Sequence, residues 1–212
     1  MCPIINNYKK IKTLVNNTSI NIIAVSKSFS YDHIEPLIKY GHKHFGENKV
    51  QEAKNKWLKT KELFPDLNLH MIGRLQSNKV KDAIKLFEYI HTVDTPKLAS
   101  LLSKYEKIIN KNRKYFIQVN IGREKQKNGV YEENLDNFYN FCTKELRLNI
   151  IGLMAIPPND GNEEIYFKQM MQLNLSLGLK ELSMGMSNDF QEALKYYATF
   201  IRIGSAIFGD RV

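Results

Sequence analysis

Short β-type runs alternate with longer helical stretches about eight times along this chain, and that rhythm limits the folds open to it. The β-type runs cover residues 21–26, 43–46, 69–72, 89–93, 115–121, 149–155, 180–183 and 200–203. Between them, apolar residues recur at i, i+3 and i+4. In the segment 95–102, Thr95 is a candidate N-cap and Pro96 sits at the first helical position, where its missing N–H costs nothing. A leading helix is expected over residues 4–15, before the first strand. Strand-helix alternation favours a parallel sheet, because each crossover between parallel strands needs a helix. About eight such units fit a closed, TIM-like (β/α)8 barrel, and 212 residues is near the low end for that fold. The expectation is α/β: one barrel domain over residues 1–212, with 1–19 as an extra N-terminal helix and 20–212 as the barrel. An open doubly wound sheet is the other arrangement that the same periodicity allows.

Composition narrows the class of partner. No apolar run approaches the roughly 18 residues needed to span a bilayer, so no membrane is expected. The opening MCPIINNYKKIKTLV places Asn and Lys where a secretory leader needs a continuous apolar stretch. Cys2 and Cys142 have no C-x-x-C spacing, which points to a reducing compartment and a cytoplasmic address. The net charge is +9, from 31 basic and 22 acidic residues. The lysines are scattered among acids, with no Arg-rich arm and no aromatic/basic alternation for stacking bases. The charge therefore reads as compositional bias, and nucleic acid is not an expected partner. A basic barrel that binds another phosphate or a nucleic acid stays open as an alternative.

In parallel architectures, functional groups gather where strands end and loops begin. The first strand runs into Lys27. Partial burial of a lysine disfavours its charged form and exposes a nucleophilic amine able to condense with an aldehyde. A lysine that ends a strand and reaches out to water is the alternative reading of that position. After the second strand, Gly46 permits a tight turn, and Asn48 offers a helix cap and an amide. After the third, Gly73 makes another turn, with Ser77 or Asn78 opening a helix. His70 reads as a satisfied strand residue rather than a base. The seventh strand leads to Gly185 and Ser187, with Ser187 at the expected N-cap. The eighth leads through Arg202 to Gly204 and Ser205 and a short final helical turn. Helix N-termini attract phosphate, and barrels often hold one between the loops after strands seven and eight. An early lysine with two late glycine turns suggests a phosphate-bearing aldehyde.

These stretches also carry a resemblance. Ala24–Lys27, Phe45–Glu52, His70–Lys79, Gly152–Pro157, Leu182–Ser187 and Arg202–Gly209 occur in the order found in the pyridoxal phosphate homeostasis protein family, also called YggS-like or PROSC-like. The resemblance implies a barrel similar to the N-terminal domain of alanine racemase and pyridoxal 5'-phosphate (PLP) as cofactor. It implies that Lys27 forms the internal aldimine, a Schiff base. It implies that Ser187, Gly204 and Ser205 hold the phosphate, with Arg202 near the pyridine nitrogen and Asn48 close to the ring. The family often has threonine where Ser205 stands, which keeps the hydroxyl. The region before the first strand looks shorter than usual.

A cationic partner for the pyridine nitrogen weakens the ring as an electron sink, because arginine does not readily exchange a proton in proteins. Racemisation also needs acid/base groups on both faces of the substrate. In alanine racemases a tyrosine from a further domain of a partner subunit supplies one of them. The chain stops at Val212, and no such domain is expected. The resulting expectation is a monomeric carrier in vitamin B6 homeostasis rather than an enzyme, with no catalytic residue and no metal. Apo forms of PLP-dependent enzymes are its candidate recipients. A PLP-dependent amino-acid racemase is the alternative.

Overall fold

The computed structural model describes residues 2–16 and 19–210. Eight parallel strands close into a barrel in sequence order. They are β1 (Asn21–Val25), β2 (His44–Glu47), β3 (Asn68–Met71), β4 (Tyr89–Val93), β5 (Lys114–Gln118), β6 (Ile150–Met154), β7 (Glu181–Met186) and β8 (Phe200–Ile203). Closure is made by β8 against β1, with Ile23 opposite Arg202 and Ala24 opposite Ile203. The closed barrel, not the open sheet, is the architecture.

The first five helices are α1 (Pro3–Val15), α2 (Tyr31–Lys39), α3 (Val50–Leu63), α4 (Val80–Leu86) and α5 (Pro96–Ile109). The remaining four are α6 (Glu132–Asn140), α7 (Glu163–Ser176), α8 (Phe190–Lys195) and α9 (Ser205–Phe208). Helix α1 buries Ile4, Tyr8, Ile11 and Val15, an i, i+4, i+7, i+11 stripe. Burial of each such aliphatic side chain contributes roughly 1.5–3 kcal/mol. Pro3 starts α1, and Asn16, left-handed at φ 44°, ends it. Helix α5 begins as its sequence predicts: the Thr95 hydroxyl accepts from the Leu98 N–H at 3.3 Å.

Alternation along the strands separates two cores. Residues such as Leu69, Ile90, Ile201 and Ile203 face outward and join the helices in the large core. Ile23, Tyr89, Phe116, Met154 and Phe200 form a second, smaller cluster in the barrel interior. Four polar residues, His70, His91, Ser183 and Arg202, are buried with them.

Four local expectations are corrected. Strand β7 continues to Met186, three residues past its expected end, so Ser187 follows the strand directly. The N-cap of α8 is Asp189, not Ser187, and its Oδ1 accepts from the Met186 N–H at 2.5 Å. The N-cap of α3 is Lys49, which leaves Asn48 in the loop. Strand β5 ends at Gln118, earlier than expected, and Val119 instead pairs with Val130 across a loop. Among the described residues no helix is long and apolar enough to cross a membrane. Val212, where the chain was expected to stop without a further domain, lies outside the described residues.

Candidate functional site

The carboxyl ends of the strands open onto a cavity of about 790 Å³. All six residues singled out from the sequence line it: Lys27, Asn48, Ser187, Arg202, Gly204 and Ser205. They come from the ends of β1, β2, β7 and β8, so only barrel closure brings them together.

Lys27 is half-buried, two residues past the last residue of β1. Its backbone neighbours are clamped. The Lys56 ammonium donates to the Ser26 carbonyl at 2.8 Å and to Glu47 Oε1 at 2.9 Å. The same oxygen accepts from the Ser26 hydroxyl at 2.8 Å and from Trp57 Nε1 at 2.9 Å. On the other side, the Ser28 N–H donates to Glu52 Oε1 at 2.5 Å, which holds Ser28 left-handed at φ 68°. Glu47 is fully buried, and desolvation raises its pKa while the charge of Lys56 opposes that shift. The segment 26–28 is thus fixed by hydrogen bonds to α3, the helix behind it.

Asn48 sits in the loop after β2, packed backbone to backbone on the loop after β3. A side chain at Gly73 would drive its Cβ into the Asn48 carbonyl oxygen. The glycine is needed there for close approach.

The turns after β7 and β8 meet in the lining of the same cavity. The Gly204 N–H donates to Ser187 Oγ at 3.4 Å, and the Ser187 and Ser205 hydroxyls lie 3.5 Å apart. Gly185 is required by its φ of 88°, and a Cβ there would meet Ala193 Cβ at 2.8 Å. Gly204 is different: its φ is −109°, and a Cβ would lie 3.6 Å from Val25 Cβ, in ordinary contact. The first two N–H groups of α9, from Ser205 and Ala206, have no acceptor within the helix. Helices α8 and α9 have six and four residues, so an anion placed at these turns would meet hydroxyls and turn amides rather than a long helix dipole.

Arg202 rises from the barrel interior. Nη1 donates to Ser183 Oγ at 2.7 Å and Nη2 to the Ala155 carbonyl at 2.8 Å. Burial lowers the guanidinium pKa to about 10, with the charge of Asp189 opposing the shift. It remains a cation at neutral pH.

Several lining residues were not anticipated. Val25, Ile72 and Ile156 give the cavity apolar wall, and Glu163, Glu164, Asp189 and Glu192 give it acid. Ile156 follows a strand end that sequence reading located, so its position was accessible. The carboxylates come from α7, α8 and the loop before α8, and nothing in their local pattern marks them as facing a shared space.

A family description for the N-terminal domain of alanine racemase matches residues 3–212. The pyridoxal phosphate homeostasis protein of Aquifex aeolicus (strain VF5) is 37% identical over 199 residues, covering 90% of this chain and 86% of that protein. Its namesake in Escherichia coli (strain K12) is 35% identical over 201 residues, covering 91% and 86%. Among solved structures, PipY of Synechococcus elongatus PCC7942 with PLP bound superposes with a TM-score of 0.89 at 32% identity, covering 97% of this chain and all 100% of that one. Alanine racemase from Corynebacterium glutamicum shares the fold at a TM-score of 0.75 and 17% identity, with 98% of this chain matching 60% of that one.

Proposed function

The chain belongs to the pyridoxal phosphate homeostasis proteins, within the family of the alanine racemase N-terminal domain, and from that premise we propose that it binds PLP in the cavity at the barrel mouth, as a Schiff base on Lys27. The observation that carries this reading is convergence. One amine, two hydroxyls joined by a turn amide, and one buried cation, all separated in sequence, line a single cavity.

The residues present fit the cofactor. Bound there, PLP supplies an aldehyde that condenses with an amine. Lys27 is the lysine among the described lining residues, and its backbone is clamped on both sides. Ser187, Ser205 and the free turn amides can donate to a phosphate, and such charge-assisted bonds are stronger than neutral ones. Val25, Ile72 and Ile156 offer apolar surface for a ring. Arg202 would offer a fixed cation to the pyridine nitrogen, and Asn48 would offer its amide to the ring substituents.

The role that fits is a carrier in vitamin B6 homeostasis without strong catalytic activity. The curated relatives are named for homeostasis, not for a reaction. Arg202 keeps its proton at neutral pH, so it does not protonate the pyridine as an acid would. Among the described lining residues there is no tyrosine or histidine to serve as a second acid/base opposite Lys27. The free thiols of Cys2 and Cys142 fit a reducing, cytoplasmic setting. Apo PLP-dependent enzymes are the natural recipients of such a carrier.

Titration of PLP into the apo protein, followed by incubation of the loaded protein with each L-amino acid and chiral analysis, tests the reading. Saturable binding with no racemisation above that of free PLP is expected. Turnover well above free PLP would establish an enzyme instead.

A further inference from the structure

Four polar side chains cross the barrel interior in a continuous hydrogen-bonded line below Arg202. Ser183 Oγ lies 2.9 Å from His91 Nδ1. His91 Nε2 lies 3.0 Å from His70 Nδ1, and His70 Nε2 lies 2.9 Å from His44 Nδ1. The line starts near the carboxyl end of β8 and finishes at the first residue of β2, at the opposite end of the barrel. His70 and His91 are fully buried, where barrels normally pack branched aliphatic side chains. Buried polar groups of this kind are costly unless each is satisfied.

The direction of the line follows from Arg202. A guanidinium can only donate, so Ser183 Oγ accepts from it. Among the described residues, the other partner of Ser183 Oγ is His91 Nδ1, so the serine proton points at that nitrogen. His91 then carries its proton on Nε2 and donates to His70 Nδ1. By the same step His70 donates from Nε2 to His44. The reverse order would leave Ser183 accepting twice with its own proton buried and unpaired. Every lone pair in the line therefore faces Arg202, and every N–H faces away. The negative end of each ring dipole points at the buried cation. Ring stacking holds the geometry, with His70 against Tyr89 at 4.3 Å and 14°, and His91 against Phe116 at 4.3 Å and 17°. Among the described residues the hydrogen-bond partners of the Arg202 guanidinium are Ser183 and the Ala155 carbonyl, neither of them anionic, while Asp189 acts on it through its charge from the cavity side; the three rings are not arranged with other ligands as a metal site.

We propose that Ser183, His91, His70 and His44 form a one-directional hydrogen-bond line that stands in for a counter-ion to Arg202, which makes the three histidines positioning residues of the cofactor cavity. The inference rests on the PLP reading for its functional consequence, because Arg202 is the contact between the line and the cavity. Its proton order stands independently of any ligand.

The test has two arms on the full chain. Long-range 1H–15N spectra of histidine-labelled protein at neutral pH should show His91, His70 and His44 neutral and protonated on Nε2. Arg202→Met should scramble that order. A wild-type His91 or His70 protonated on Nδ1 overturns the proposal. In the second arm, PLP is titrated into wild type and variants. His91→Leu should lose at least about tenfold in affinity, as for a buried donor left without its acceptor. His91→Gln, which can still accept from Ser183 and donate to His70, should stay within about threefold of wild type. Ser183→Ala cuts the line with a smaller change and should match His91→Leu, so it serves if the leucine variant does not fold. Wild-type affinity in His91→Leu and Ser183→Ala overturns the proposal. If wild type takes up no PLP, the functional reading fails, and the tautomers alone decide the line.

Discussion

Ser187 Oγ accepts the Gly204 N–H at 3.4 Å, and this bond ties the turn after β7 to the turn after β8. It sets the Ser187 and Ser205 hydroxyls 3.5 Å apart in the lining of the cavity that Lys27 also lines. On the proposed reading, the two turns would hold a single phosphate together. Ser187→Ala and Ser205→Ala should each weaken retention of PLP by roughly 0.5–1.5 kcal/mol, more where the bond is charge-assisted. Equilibrium dialysis of each variant measures it. Unchanged affinity in both would move the phosphate elsewhere.

Gly204 has a negative φ and room for a methyl group, so Gly204→Ala should fold with near-wild-type stability. Within the protein, an added methyl group meets only ordinary contacts with Val25. A loss of PLP affinity without a loss of melting temperature would show that the added carbon crowds the ligand. Equal losses of both would show a folding role instead.

The clamp behind Lys27 predicts a coupled effect on stability and site. Lys56→Met leaves the Glu47 carboxylate fully buried without its cation, at a cost of roughly 3 kcal/mol. Glu47→Gln in the same background should recover part of that, since a neutral amide tolerates burial better. Urea unfolding of the single and double variants checks the order. A Lys56→Met protein as stable as wild type would show that the pair is not a structural brace.

Burial depresses four histidines: His42 to about 3, His44 to about 4, and His70 and His91 well below the ordinary 6.5. Each binds fewer protons folded than unfolded once the pH drops below that ordinary value. Their stabilising contribution is whole above about pH 6.5 and is lost as the pH falls toward the folded values. Each proton taken up on unfolding adds about 1.4 kcal/mol per pH unit to the slope. The urea midpoint should therefore fall steeply between about pH 6.5 and 5. A flat midpoint over that range would mean that these rings are solvated or already charged.

Much of the architecture was legible because strand-helix alternation is a local signal. All eight strands lie within a few residues of their expected positions, and Thr95 caps α5 as its sequence suggests. Strand ends are less legible. Met184, Gly185 and Met186 carry a glycine that reads as a turn, yet they extend β7. The six candidate residues that line the cavity were legible because they sit at strand ends, beside glycines, or in stretches that resemble a known family. The interior line escaped detection for a physical reason. His44, His70 and His91 lie on three strands, and their meeting depends on barrel closure and on which face each residue takes. His70 read as a satisfied strand residue, which the structure bears out, but its partners could not be read from one strand.

The central claim is that the amine of Lys27 holds the cofactor. The direct measurement is the absorption spectrum of the PLP-loaded protein before and after borohydride reduction, with peptide mapping of the modified residue. Reduction should bleach the visible band and fix the label on Lys27, and Lys27→Ala should fix none while keeping weak, phosphate-anchored binding. A label on another lysine, or undiminished trapping in Lys27→Ala, would contradict the account.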